Sequence, residues 1–322
     1  MVSLFDACYR HAQHFSAILR TANTNYLASE DSPLDGLELF DRERRNIEAA
    51  WQWVAAHARD PRATSLCAEF PNAGPYILSM RLPARVWQSW INSAISASEQ
   101  SGAKKTQASH LGNLGVTHRR LGNIDAAIAA FEAQIALARE LDLRQLEATA
   151  EGNLGLCHAD RHDFRQAIAH QEINLRISRE IDFRRGEAIA LGNLGNAHAD
   201  LGELEQGSQF YRDQLDIVRT IGDRQGEANA LGNLGLIAID LGDCTRAIEF
   251  FEQQLSMCRR IGDRIGEGNA LFSFGKVYHM TGELQRAVEC TELGIMILDE
   301  TSHPFAEEAR AFLSKIAVAA QQ

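Results

Sequence analysis

The chain has 322 residues, 45% hydrophobic and 23% charged, with a formal net charge of -11. That balance fits a folded protein of two domains or one elongated array, and without a clustered Lys/Arg patch a nucleic-acid partner is not expected. No apolar run approaches the ~20 residues that span a bilayer, and the N-terminus lacks a charged stretch leading into an apolar core, so neither a membrane anchor nor a signal peptide is expected. The six cysteines, Cys8, Cys67, Cys157, Cys244, Cys258 and Cys290, include no CxxC pair. They read as small buried thiols in a reducing cytosol, not as a metal site or a disulfide framework. A cytoplasmic location is the resulting expectation.

Residues 1–100 hold all four tryptophans (Trp51, Trp53, Trp87 and Trp90) and five of the six prolines (Pro33, Pro61, Pro71, Pro75 and Pro83). Helices are expected over about 3–28 and 36–58, joined by a turn at "SEDSPLDG", 29–36. Pro71 and Pro75 interrupt the next segment. Residues 83–102 then read as the second helix of a degenerate pair.

From residue 104 the sequence keeps a period of 40, and internal repeats decide a fold before any local signal does. "LGNLG" occurs at 111–115, 191–195 and 231–235, with "EGNLG" at 151–155. Gly115, Gly155, Gly195, Gly235 and Gly275 keep step, as do Glu147, Glu187, Glu227 and Glu267. Each unit reads as two helices. In the third, Leu191, Leu194, His198 and Leu201 form a stripe at helical spacing, and Gly202 suits a helix C′ position. Asn123, Asp163, Glu203, Asp243 and Glu283 stand at the start of each second helix. Asp223 and Asp263 are candidate N-caps of the first. Two glycines in five residues also suggest a phosphate loop, but no strand precedes them, and Val277 comes after Gly275-Lys276 where a P-loop needs Ser or Thr. They read instead as points of close helix contact. The opposing small row is Ala127, Ala167, Gly207, Ala247 and Ala287, with Phe131, Tyr211 and Phe251 filling the space beyond. Residues 304–320 read as a terminal helix whose stripe of Phe305, Ala309, Phe312 and Ile316 covers the last repeat.

The "LGNLG…LG…A…F/Y" pattern on paired helices resembles the tetratricopeptide repeat. The 40-residue period resembles the longer variety found in spindle-orientation adaptors of the Partner-of-Inscuteable type and in bacterial regulators; "DRIGEGNALFSFGKVYHMTGELQRAV" at 263–288 is close to the adaptor type. "RHAQHF" at 10–15 and "LFDRERRNIEAAWQWV" at 39–54 resemble a segment that leads into the repeat-built sensor of bacterial signal-transducing STAND/NB-ARC-type ATPases. The resemblance implies an all-α, right-handed α-solenoid of tetratricopeptide-like helix pairs. The expected layout is an N-terminal helical segment at 1–60, a degenerate pair at 61–103, five repeats at 104–301 and a capping helix at 302–322.

The resemblance further implies that the first helix of each pair lines a concave groove. Three rows flank the packing stripe: Val116, Leu156, Asn196, Leu236 and Lys276; Arg119, Ala159, Ala199, Ile239 and His279; and Ser109, Thr149, Ile189, Asn229 and Asn269. The glycine row Gly112, Gly152, Gly192 and Gly232 borders the groove and ends in Phe272. These rows vary from repeat to repeat while the packing rows do not, so they are where a partner is read. With Arg120, Asp200 and Asp240 they supply the candidate contacts to a protein or peptide. Only Asn196 matches the asparagine of carboxylate-clamping arrays, so such a clamp is not expected.

Asp160, Asp200 and Asp240 recur in the last turn of the first helices, where they oppose the helix dipole. They read first as salt bridges to a neighbouring repeat through Arg165 or Arg246, and alternatively as an acidic strip for a basic ligand. His118, His158 and His198 read as packing, not as a metal ladder. Asn113 and its repeats read as buried amides bonded to backbone. No nucleophile–base pair stands out, and no cofactor or catalytic residue is expected. The functional expectation is a non-enzymatic recognition module, the ligand-sensing part of a signalling ATPase. A free-standing adaptor scaffold is the alternative, and an enzyme regulator or hydrolase with a hidden site is the third reading.

Overall fold

The structure, a computed structural model, describes residues 3–28 and 34–320. It is built from α-helices, with no strand among the described residues. The chain divides into two compact units, Met1–Asp160 and Arg161–Gln322.

The first unit opens with α1 (Leu4–Ala28), α2 (Leu34–Ala56) and α3 (Pro61–Glu69). A 3₁₀ turn at Pro71–Ala73 then leads to α4 (Pro75–Arg81) and α5 (Ala84–Ser101). Residues 29–33 of the expected turn lie outside the described residues, and α2 begins within its remainder. The prolines sit where a missing N–H costs nothing: Pro61 opens α3 behind Asp60, whose Oδ1 accepts the Arg62 N–H at 2.9 Å, and Pro75 opens α4. The expected disturbance is therefore one short helix set between two turns. Trp51 and Trp90 stack at 4.7 Å, with Phe70 at 5.8 Å from Trp51, and Leu19, Ile47, Ile77 and Ile91 complete a dry core. Two polar groups tie it together. Asn23 Oδ1 accepts from the Tyr76 N–H at 3.2 Å, and His110 Nε2 donates to the Ala68 carbonyl at 2.7 Å. Burial holds the His110 pKa below its ordinary value, so this ring stays neutral.

The repeats begin at α6 (Lys104–Arg120) and α7 (Ile124–Glu140), and α8 (Arg144–Asp160) ends the first unit. The second unit holds α9 (Phe164–Glu180), α10 (Arg184–Asp200), α11 (Leu204–Ile221), α12 (Arg224–Asp240), α13 (Cys244–Ile261), α14 (Arg264–Met280), α15 (Leu284–Glu300) and α16 (Phe305–Ala320). From α6 onward, within each unit, every helix packs chiefly on its neighbours in sequence, whereas in the N-terminal segment α3 packs chiefly on α5.

The glycines set that packing. A Cβ at Gly115 would lie 2.5 Å from the Phe131 ring, at Gly195 2.6 Å from Tyr211, and at Gly235 2.4 Å from Phe251. One turn away, Gly112, Gly192 and Gly232 make room for Gln134, Gln214 and Gln254, whose side-chain nitrogens would meet an added Cβ at 2.5–2.6 Å. These glycines are buried under glutamines, and Gly112 with its Gln134 still borders a cleft in the first unit. In the last pair the roles are exchanged. Phe272 takes the glycine place and Gly294 the glutamine place, with a Cβ on Gly294 only 3.0 Å from the Phe272 nitrogen.

A second device joins each pair to the next. Glu187 accepts from Arg179 Nε at 2.8 Å and from Arg184 Nη1 at 2.6 Å. Glu267 is gripped in the same way by Arg259 at 2.8 Å and Arg264 at 2.5 Å. Arg139 and Arg144 hold Glu147, and Arg219 Nε reaches Glu227 at 2.8 Å. The Glu147 and Glu187 residues are only 4% exposed, so each carboxylate is buried beneath cations that themselves reach solvent. Asp223 and Asp263 cap α12 and α14, each at 2.9 Å from the N–H three residues on. Asp163 and Asp243 cap α9 and α13, whereas Asn123, Glu203 and Glu283 make no side-chain cap. Most turns use glycine at positive φ, but Asp142, His162, Asp182 and Ser302 adopt the same left-handed geometry at φ 52–60°.

Gly235→Ala drives a methyl into the Phe251 ring and should cost about 1–3 kcal/mol, read as a lower chemical-denaturation midpoint. Burial pushes the Glu267 pKa up, but the hydrogen bonds from Arg259 and Arg264 outweigh it, and the group ends below its ordinary 4.5. The unfolded chain therefore takes up this proton first as the pH falls. The stabilisation from Glu267 is complete above that ordinary value and is lost progressively below it. Glu267→Gln should melt lower at neutral pH, and its melting temperature should fall less steeply than the wild type's on acidification.

Candidate functional site

The surface that the varying rows build is described for each unit in turn. In the first unit it is a cleft of about 640 Å³. One wall comes from the degenerate segment through Tyr76 and the edge of Trp87. The other comes from α6 and α8 through Val116, Arg120, Asn113 and Thr149. Tyr76 is 55% and Val116 41% exposed, so apolar surface faces solvent here. Arg120 Nη1 donates to the Ser79 carbonyl at 3.0 Å and fixes α4 against the end of α6. Thr149 is exposed and returns its hydroxyl proton to its own helix, at the Gln145 carbonyl. Leu156 is half-buried on α8. Arg119 is spent: its Nε and Nη2 grip both oxygens of Asp160 at 2.6 and 3.0 Å.

In the second unit the rows lie on α10, α12 and α14. Ile189 is 50% and Leu236 43% exposed, while Asn196, Asn229, Asp200 and Asp240 are exposed beside them. Ile239 is half-buried at the edge of the core below. Asn196 Oδ1 accepts the Tyr211 hydroxyl at 2.5 Å, and Asn229 Oδ1 lies 3.4 Å from Gln225 Nε2. Asn269 is half-buried, with its side-chain oxygen sealed from solvent and unbonded.

The fifth repeat differs from the expectation. Phe272 is 4% exposed, edge-on to Phe312 of α16 at 5.7 Å, so its ring is packing and not open surface. Lys276 lies over that ring at 4.3 Å and bonds Glu308 at 3.0 Å, and His279 meets Phe312 edge-on at 5.7 Å. These three side chains hold α16. Phe305 was expected in the cap's buried stripe but is 48% exposed. Ala306 takes its place beside Ala309 and Ile316.

The acidic ladder also divides. Asp160 bridges to a neighbouring helix, through Arg119 and not through the partners expected. Arg165 instead reaches Glu203 at 2.8 Å, and Arg246 turns to Asp243, its own cap, at 3.5 Å. Asp200 and Asp240 have no partner among the described residues. The asparagine row differs too. The side-chain amides of Asn113, Asn153, Asn193 and Asn233 are half-buried and make no hydrogen bond, so they are not spent on backbone. His198 is buried, with Nδ1 at 2.5 Å from Glu203 Oε2 and its ring stacked on Phe210. That hydrogen bond, with Arg165 beside it, holds Glu203 below the usual carboxylate range. Burial pushes the Cys67 and Cys258 thiols up to about 12 and Cys157 to about 11, so these three are poor nucleophiles. Among the described residues no three His, Cys, Asp or Glu side chains gather to hold a metal ion.

Sequence reasoning missed the contribution of Tyr76 and Trp87, because no periodic signal places the degenerate segment against the repeats. It also missed the glutamine row, although Gln134, Gln214 and Gln254 recur at the 40-residue period.

With that geometry in place, the comparison with known families is decisive for the fold. The tetratricopeptide repeat pattern matches four overlapping stretches, 106–180, 146–220, 186–253 and 226–293, which together span more than half of the chain. The chain belongs to the tetratricopeptide repeat family. A comparison with curated proteins gives no match. Among solved structures, the tetratricopeptide chain is similar to aspartyl phosphate phosphatase F from Bacillus subtilis, with a TM-score of 0.64 at 11% identity, covering 100% of this chain and 96% of that one. It is similar to a STAND ATPase with a tetratricopeptide repeat sensor from Pyrococcus horikoshii, with a TM-score of 0.62 at 17% identity, covering 94% of this chain but only 46% of that one. It is also similar to BtubC from P. vanneervenii, with a TM-score of 0.61 at 18% identity, covering 69% of this chain and 94% of that one. At these identities the likeness concerns the fold alone.

Phe272→Ala empties a packed site at the cap and should lower stability by about 3–5 kcal/mol in chemical denaturation. A surface contact residue would leave the denaturation midpoint unchanged.

Proposed function

We propose that this tetratricopeptide protein is a non-enzymatic recognition module that takes a protein or peptide segment on the exposed face of its first-of-pair helices. One observation carries the reading. Ile189, Leu236 and Val116 stand 41–50% exposed on helices whose other faces are buried, at the same positions that vary between repeats. Exposed apolar side chains flanked by carboxamides, those of Asn193 and Asn233 unbonded among the described residues, suit a peptide. The apolar groups take its side chains, and each carboxamide offers a donor and an acceptor to its backbone. Burial holds the Cys67, Cys157 and Cys258 thiols protonated, which counts against these three as nucleophiles.

The finer reading is that the module is the ligand-sensing part of a bacterial signalling ATPase, acting in the cytoplasm. It is supported by the sequence resemblance at 10–15 and 39–54 and by the likeness to a STAND protein carrying a tetratricopeptide sensor. A free-standing adaptor is the second reading, supported by the resemblance of residues 263–288 to the adaptor-type repeat. A nucleotide-binding P-loop encoded upstream in the same gene selects the first over the second.

The test is a capture experiment with the full chain, identification of the retained protein by mass spectrometry, and calorimetric titration of that partner. Leu236→Glu and Asn229→Ala should each abolish measurable binding, with circular dichroism and melting temperature unchanged. Full affinity in both variants would overturn the reading.

A further inference from the structure

Asp200 and Asp240 are the last residues of α10 and α12, at the negative ends of the two helix dipoles. A carboxylate there is unfavourable unless a cation relieves it. The first unit shows the relieved case, with Asp160 at the end of α8 gripped through both oxygens by Arg119. In the second unit the position that would serve Asp240 as Arg119 serves Asp160 is Ala199. The nearest acids are occupied. Glu203 is held by His198 and Arg165, and Asp243 by the Arg246 N–H and side chain. Asp200 and Asp240 are exposed and remain without a cation among the described residues. They flank a face that also exposes Ile189, Leu236 and Asn196.

We infer that this face, on α10 and α12, selects a peptide segment that carries basic residues among aliphatic ones, with Asp200 and Asp240 as its cation contacts. The inference rests on the proposed recognition role and adds the chemistry of the partner. Charge decides the occupant: two uncompensated carboxylates at helix C-termini repel an acidic segment and leave a neutral one without a counter-charge. Leu236 and Ile189 take the aliphatic side chains of the same segment.

The experiment is a selection of random peptides displayed on phage against the immobilised full chain, repeated against the Asp200→Asn/Asp240→Asn double variant and against Leu236→Glu. Enriched sequences should combine Leu, Ile or Val with paired Lys or Arg. A synthetic peptide of the enriched sequence should bind the double variant about three- to tenfold more weakly, with a shallower dependence of affinity on salt. The double variant should melt at the same temperature or higher, because it loses two acids from helix C-termini; a structural role for these carboxylates would lower it. Enriched peptides that need Leu236 but lack basic residues, or that bind the double variant unchanged, would overturn this inference and leave the recognition role standing. No enrichment at all would overturn both.

Discussion

The close approach of paired helices is the constraint on which the rest of this structure depends. Gly115, Gly195 and Gly235 bring helix backbone against an aromatic ring at a distance that no other residue tolerates. Once that distance is fixed, the remaining rows have little freedom. The second glycine must accommodate a glutamine, the small row must face backbone, and the first helix is left with one face that nothing in its own pair covers. The exchange in the last pair, Phe272 opposite Gly294, makes the rule visible because the same volume is conserved with its two halves traded. The Arg–Glu junctions then act along the other direction and join the end of one pair to the start of the next.

The repeat period, the helix boundaries, the caps at Asp223 and Asp263 and the ring-against-glycine contacts were legible because each depends on residues close in sequence or recurring at a fixed interval. Three kinds of feature were not. The junction Arg139, Arg179, Arg219 and Arg259 recur at the same interval as the glutamates they grip, so the signal was present, but a regular arginine also reads as a solvated face. Phe272 looked like part of an open row because its position is glycine elsewhere; only the placement of Phe312 on α16 shows what covers it. The side chains of Tyr76 and Trp87 reach the cleft through a segment that lacks the repeat, where no periodicity is available to place them. The acidic ladder failed in the same way: choosing Arg165 or Arg246 as its partner needed side-chain directions that spacing alone does not carry.

Where candidate contacts are concerned, the structure separates residues that are occupied from residues that are available. Arg119, Phe272, Lys276 and His279 are engaged within the fold. Leu236, Ile189, Asp200, Asp240 and the Asn193 and Asn233 amides are not. The available set on α10 and α12 comprises aliphatic surface, carboxamides and, at the C-terminal ends of the two helices, acid. A repeat protein diversifies in this way, holding its packing rows and releasing a neighbouring row to vary.

The last helix described, α16, also bears on how such arrays grow. By register, α16 is the first helix of a further pair, yet Phe312 stands where Gly112 and Gly232 do, and Lys315 where Gly115 and Gly235 do. Both places that glycine holds in most repeats are filled, the first by a half-buried ring packed on Phe272 and the second by an exposed side chain. The last pair shows that a phenylalanine at the first of these places still admits a second helix when glycine faces it, as Gly294 faces Phe272. A graft that offers glycine opposite Phe312 and restores it at 315 opens the socket, so an engineer can write the length of the array in two codons.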